Sequence, residues 1–172
     1  MRIDIGEWHL RRYRAGDLAA LVKYADNPNI VRNLRDRFPH PYTVEAGRFW
    51  IGSVCDQEPL ATFAIASETE LIGGIGLELQ QDVYRRSAEI GYWLGEPFWG
   101  KGIVSAAVQA VVRYGFAQLD LVRIYAGVFA TNPTSSRVLE KNGFTFEGRH
   151  RQAVWKNGEL IDELRYAIVR PD

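Results

Sequence analysis

The chain has one cysteine, one methionine and three histidines in 172 residues, and each scarcity removes a class of chemistry. A lone Cys55 can form neither an internal disulfide nor a thiolate metal cluster, and is read as an inert helix residue. His9, His40 and His150 are scattered without ligand spacing, so no metal site is expected. An excess of one charge is also missing. The 21 Lys and Arg balance 21 Asp and Glu, which gives no basic surface for nucleic acid. No uninterrupted apolar run approaches a membrane span, and Met1-Arg2-Ile3-Asp4-Ile5 meets Glu7, Arg11 and Arg12 too soon for a secretory signal. The expectation is a cytoplasmic protein with neither a nucleic-acid nor a membrane partner. Low-complexity segments, repeats and linkers are absent too. What is present is apolar: 47% hydrophobic and 12% aromatic residues, enough for one domain over 1–172 with a sizeable core.

Periodicity predicts a first strand over Trp8–Tyr13, then a helix through Leu18, Leu21, Val22 and Tyr24 with Asp17 as its cap. Asn27-Pro28 interrupts that helix, and a short one follows with Ile30, Val31 and Leu34. Two prolines keep Phe38-Pro39-His40-Pro41-Tyr42 extended, after which Thr43 caps a helix through Ala46, Phe49, Trp50 and Val54. Leu60–Ala66 and Leu71–Leu79 read as a hairpin, with Gly73, Gly74 and Gly76 marking a bulge or a close backbone approach. Ala88–Leu94 alternates and is the central strand. Ile103–Leu119 is apolar almost all round, with Arg113 its one charge, so this helix is buried. Val122–Ala130 is a strand, and Asn132-Pro133 opens a helix that ends at Lys141-Asn142-Gly143. Asn157-Gly158 turns a final hairpin between Phe144–Trp155 and Leu160–Val169. This order gives a mixed α/β sheet with helices on both faces.

Chemistry concentrates at Gly95-Glu96-Pro97-Phe98-Trp99-Gly100-Lys101-Gly102-Ile103-Val104, between the central strand and the buried helix. Glycines flanking Lys101 let a strand turn sharply into a helix and free the backbone N–H groups of residues 99–104 to converge on an anion. A phosphate or pyrophosphate is the expected ligand, and an ordinary strand-to-helix turn is the plainer alternative. The stretch almost spells a phosphate loop of the nucleoside triphosphatase type, but Gly102 stands where the magnesium-binding hydroxyl is required. A dinucleotide fingerprint is absent, because Gly74-Ile75-Gly76 lies within a strand without a third glycine.

Asn132-Pro133-Thr134-Ser135-Ser136-Arg137-Val138-Leu139-Glu140-Lys141-Asn142-Gly143-Phe144 opens a helix directly after a strand. Together with Ala88–Leu94, the glycine loop, Leu10-Arg11, Asp17 and Phe38-Pro39-His40-Pro41-Tyr42-Thr43, it resembles the GNAT superfamily of N-acetyltransferases. Within that superfamily it is similar to the ribosomal-protein N-terminal (RimJ/RimL-like) branch. The resemblance covers essentially the whole chain. It implies a mostly antiparallel sheet splayed at its middle strands, with acetyl-CoA in the gap. It also implies direct transfer of acetyl to an amine acceptor in a ternary complex, and it admits a homodimer.

On these residues the resemblance places a pyrophosphate loop in which Trp99, Gly102 and Val104 fill the family's side-chain positions. Only Gly102 agrees, and the amides of Gly100, Lys101, Gly102, Ile103 and Val104 would do the binding. Trp93 and Leu94 would supply backbone contacts to the pantetheine arm, and Asn132 a side-chain amide, alongside its simpler use as a helix cap. Ser135 matches the residue near the thioester sulfur, where a hydroxyl can donate to the departing thiolate; its plainer role is satisfying first-turn amides. Some members of the branch carry a glutamate where Val154 stands, so Glu89, sharing a face with Gly91 and Trp93, is the preferred base, against a strand-end salt bridge. Asp162 could shape the acceptor pocket, Trp50 and Trp155 could bound its cleft and His40 its mouth, while Arg85-Arg86 is a solvated turn or attracts an acidic partner. The acceptor implied is a protein N-terminal amine. The alternatives are a small amine such as an aminoglycoside or polyamine, or a non-catalytic acyl-CoA-binding module.

Overall fold

The computed structural model describes residues 1–171. Its strands are β1 (Arg2–Ile5), β2 (Trp8–Arg11), β3 (Thr62–Ala66), β4 (Leu71–Leu79), β5 (Ser87–Leu94), β6 (Arg123–Phe129), β7 (Thr145–Lys156) and β8 (Glu159–Val169). The α-helices among the described residues are α1 (Leu18–Ala25), α2 (Pro28–Val31), α3 (Val44–Val54), α4 (Ile103–Gln118) and α5 (Pro133–Lys141). All eight strands join one sheet in the order β1-β2-β3-β4-β5-β6-β8-β7. Every pairing is antiparallel except β5 with β6. No helix of the described residues is long and apolar enough to cross a membrane.

Apolar alternation puts helices on both faces, as the sequence pattern predicts. On one face α4 and α5 bury Ile103, Val108, Val111 and Leu139 against Phe63, Ile72, Leu77, Ile90 and Leu94. On the other, α1 and α3 bury Leu21 and Ile51 with Tyr13, Ala64 and Trp93. The exposed residues of helix α4 are Gln109, Arg113, Ala117 and Gln118, the others being buried or half-buried, which fits its nearly uniform apolarity. Thr43 caps α3 by accepting the Ala46 N–H at 3.2 Å, and Asn27 caps α2 by accepting the Asn29 N–H at 2.8 Å.

Three local expectations change. The first strand ends at Arg11 and is one arm of a hairpin with β1, which periodicity missed because four residues are too few to establish a period. Gly6, at φ +80°, makes the reversal. Leu60 and Ala61 stand ahead of β3, their carbonyls accepting from Tyr114 and from the Leu77 amide instead. Asp17 is no side-chain cap: it is helical and buried, and its carboxylate takes Arg11 and the Arg14 N–H. Gly73 does mark a close backbone approach, because a Cβ there would lie 2.5 Å from the Trp93 carbonyl oxygen, whereas at Gly74 the crowding comes from a side chain, the Tyr13 hydroxyl at 2.2 Å.

One feature of the sheet positions the site. Strand β5 pairs with β4 from Ala88 to Leu94, and β6 pairs with β8 along its whole length. Between β5 and β6, however, the parallel ladder holds only at Ser87, Ala88 and Glu89 against Arg123, Ile124 and Tyr125. Beyond Glu89 and Tyr125 the strands diverge. Their peptide groups on the facing edges have no ladder partner across the gap.

Candidate active site

At the wide end of the divergence β5 runs into α4 through a short 3-10 turn at Glu96–Phe98. The side-chain amides of Asn27 and Asn29 hold the Glu96 carboxylate, which keeps its pKa below the usual carboxylate range. Trp99 donates its indole N–H to the Leu94 carbonyl at 2.7 Å. Its side chain therefore braces the loop, and the family's side-chain position is filled by a structural residue. Gly100 and Gly102 follow at φ +77° and +75°, a left-handed conformation that a Cβ disfavours, and Gly102 is the N-cap of α4. No protein acceptor meets the amides of residues 100–105 among the described residues. Those donors open the 16-residue α4 at its positive end, with the exposed Lys101 beside them. Ile103 is locked in the core and Val104 is half-buried, so both can contribute only backbone. Such a cradle of free donors fits a diphosphate.

The α4–α5 face of the gap carries a hydroxyl pair. Ser135, in the first turn of α5, has its Oγ 2.7 Å from the Tyr92 hydroxyl on β5. Burial pushes the Tyr92 phenol up to about 12, against the opposing hydrogen bond from Ser135, so it stays protonated at neutral pH. Asn132 accepts the Ser135 N–H on its Oδ1 at 3.3 Å, which makes it the helix cap. Its Nδ2 meets no protein acceptor among the described residues, so the capping and cofactor roles are compatible. Sequence reasoning missed Tyr92. The signal was available: alternation puts Tyr92 on the face opposite Glu89, toward the helix that carries Ser135.

The opposite face holds Glu89, Gly91 and Trp93. Glu89 is mostly buried and binds the Arg35 guanidinium; Arg37 binds Glu78 on the neighbouring strand at 2.6 Å. Trp93 is buried edge-on to Phe38, 5.7 Å between ring centroids, so its side chain serves the core. Its peptide group is spent on β4 as well, because the Gly95 N–H donates to the Ile72 carbonyl and alternation then turns Gly95 and Trp93 toward β4 and Tyr92 and Leu94 toward the gap. The backbone contact expected of Trp93 is therefore excluded. The Leu94 carbonyl is occupied by Trp99. Glu163, which sequence reasoning passed over, lies on this face with its Oε1 accepting from Arg165 at 2.7 Å and 3.6 Å from His150 Nδ1.

The remaining candidates have structural partners. Asp162 accepts the Gln152 N–H at 2.8 Å and binds Arg149 at 3.2 Å, holding the irregular stretch of β7. Val154 pairs with Ile161 in the terminal hairpin, and Trp155 is exposed beside it, across from Leu160. Trp50 packs edge-on to Tyr13 at 6.1 Å. His40 lies 3.3 Å from Asp26, Arg86 binds Asp120 at 2.8 Å, and Cys55 ends α3. No group of three metal-ligating side chains exists among the described residues.

A sheet opened at its middle strands, with a donor cradle at the wide end, defines a binding site for a long phosphorylated cofactor. Comparison with known proteins supplies the family. An acetyltransferase (GNAT) domain profile matches residues 8–145, and the chain belongs to the GNAT family of acetyl-CoA-dependent acetyltransferases. Over 102 residues it is 45% identical to the uncharacterized N-acetyltransferase YoaA of Bacillus subtilis, a match spanning 59% of this chain and 57% of that protein. The structure of RimL, a ribosomal L7/L12 alpha-N-protein acetyltransferase in complex with coenzyme A, superposes with a TM-score of 0.87 at 25% identity, over 98% of both chains. Spermidine N-acetyltransferase from Vibrio cholerae, in complex with CoA and spermine, superposes with a TM-score of 0.79 at 26% identity, over 95% of each.

Proposed function

We propose that this protein transfers acetyl from acetyl-CoA to the α-amine at a protein N-terminus. In this reading the amides of Gly100, Lys101, Gly102, Ile103 and Val104 hold the diphosphate. The open edge of β5, where the Tyr92 peptide group and the Leu94 N–H face the gap, and the Asn132 Nδ2 carry the pantetheine arm. The cofactor supplies the acetyl group as a thioester. Tyr92 and Ser135 form a hydroxyl pair that delivers a proton to the departing sulfur, and Glu89, fixed by Arg35, lends negative charge to the face where an ammonium arrives.

The observation that carries the acceptor class is the charge balance of that face. Glu78, Glu89 and Glu163 each have an arginine partner, in Arg37, Arg35 and Arg165. A polyamine with several positive charges is best held by unpaired carboxylates, whereas a peptide end brings one ammonium followed by neutral backbone. The balance therefore favours a peptide end. The test is mass spectrometry of a bacterial extract incubated with the protein and isotopically labelled acetyl-CoA. Labelled protein N-termini are expected; label confined to spermidine or another small amine would replace this acceptor with the polyamine class.

A further inference from the structure

Strand alternation makes a pattern at the divergence that no single residue reveals. The last β5–β6 pair is Glu89 with Tyr125. Two residues further along each strand, on the same face, stand Gly91 and Gly127. Both strands thus present hydrogen in place of a side chain at the first level where they have parted. Gly91 is exposed although it lies mid-strand in the middle of an eight-stranded sheet, and a Cβ built on it would meet nothing within 4 Å. Along β5 and β6 the same-face neighbours are large, Glu89 and Tyr125 below and Trp93 and Phe129 above, while Gly76 on β4, directly opposite Gly91, widens the opening with a third glycine.

One carboxylate reaches over it. A Cβ on Gly127 would lie 2.6 Å from Glu163 Oε2, so that oxygen rests against the glycine backbone. The other oxygen, Oε1, is held by Arg165, whose guanidinium also sits 4.8 Å from the Tyr125 ring centroid. Oε2 has no hydrogen-bond partner among the described residues, and the Glu163 side chain is 13% exposed. A carboxylate fixed by one oxygen, with the other free at the edge of a gap, is a preorganised acceptor for a proton.

We propose that the acceptor amine reaches the thioester through the side-chain-free window between Gly91 and Gly127, and that Glu163 Oε2 binds this amine and takes its proton. This rests on the acetyl-transfer reading above and adds the route and the base. The incoming ammonium gives one proton to Glu163. The freed lone pair forms the N–C bond, and the C–S bond breaks with its electron pair leaving on sulfur, on the side of Tyr92 and Ser135. Of the two protons the nitrogen loses, one ends on the thiol and one passes to solvent, which His150 borders. The charged and titratable groups facing Glu163 are Arg165 on its own strand, His150 on β7, Tyr125 on β6, and Glu89 with Arg35 across the divergence.

The test uses the full chain with acetyl-CoA and three acceptors: octapeptides with N-terminal serine or alanine, and spermidine. Glu163→Gln is expected to lower kcat/KM for the accepted amine at least thirtyfold at pH 7, with coenzyme A affinity by calorimetry unchanged. The deficit should shrink as pH rises toward the pKa of the amine, when solvent supplies the free base; a merely structural role gives a deficit flat with pH. Gly91→Ala and Gly91→Val should melt no lower than wild type and bind coenzyme A normally, yet lose tenfold or more in kcat/KM. If wild type turns over an acceptor while Glu163→Gln or Gly91→Val keeps full activity, the window or the base is wrong and the transfer reading stands. If wild type binds coenzyme A and acetylates none of the three, both fall.

Discussion

Arg11 and Asp17 meet through two hydrogen bonds, of 2.8 and 2.7 Å, with both side chains more than nine-tenths buried. The pair ties the end of β2 to the start of α1, and the same carboxylate accepts the Arg14 N–H at 2.8 Å. Removing one partner leaves a buried charge uncompensated, which costs about 3–5 kcal/mol, whereas losing a helix cap costs about 1 kcal/mol. Asp17→Asn is therefore expected to fall in the higher range by urea denaturation at pH 7. A loss near 1 kcal/mol would return Asp17 to the capping role that its position ahead of Leu18 suggested.

That residue also shows where the sequence is readable. Long segments such as Ile103–Leu119 and Leu71–Leu79 specify their own state, the first because its apolar run is too long for a strand and the second because turn residues bound a short apolar run. Short segments do not: β1 and the role of Asp17 depend on partners that come from elsewhere in the chain. The glycine loop was legible because positive φ demands a residue type. The carboxylate of Glu163 was not, since a strand glutamate carries no spacing signal, and the alternation that turns Tyr92 away from Glu89 gains its meaning only from the gap. Only the divergence of β5 from β6 gives them a gap to face.

Gly102→Ala tests the cradle. A Cβ at Gly102 meets nothing within 4 Å, so the substitution acts through its φ of +75° alone. An L-residue there costs about 1–2 kcal/mol of backbone strain, relieved by rotating the first α4 amides away from their common focus. Titration calorimetry should show coenzyme A affinity falling on the order of tenfold, since 1.4 kcal/mol is a factor of ten. Gly52→Ala is the matched control: it is also free of contacts but lies inside α3, so it should leave affinity unchanged and the fold slightly firmer. Equal affinity for Gly102→Ala and wild type would remove the main-chain cradle.

Tyr92 and Ser135 form one hydrogen-bonded unit, so their contributions should not add. Ser135→Ala and Tyr92→Phe are each expected to lower kcat by roughly 10²-fold, the low end for loss of a general acid, with the acetyl-CoA KM within threefold of wild type. The double variant should fall little further than either single one. Additive losses in a double-mutant cycle would mean that the two hydroxyls act separately.

The alkaline limb of stability follows from three buried phenols. Burial raises Tyr13 well above the usual tyrosine value, and takes Tyr42 and Tyr92 up to about 12. In the unfolded chain all three titrate near the ordinary value of about 10. A group whose folded pKa is raised binds its proton more tightly in the native state. Its stabilisation is complete below pH 10 and is lost as pH climbs from 10 toward 12. The melting temperature should thus be flat from pH 8 to 9.5 and drop beyond 10. Tyr13→Phe separates this cause from general alkaline repulsion, because it removes a fully buried phenol and keeps its ring. Removing it should make the fall above pH 10 shallower. An equally steep fall in Tyr13→Phe would assign the alkaline limb to other groups.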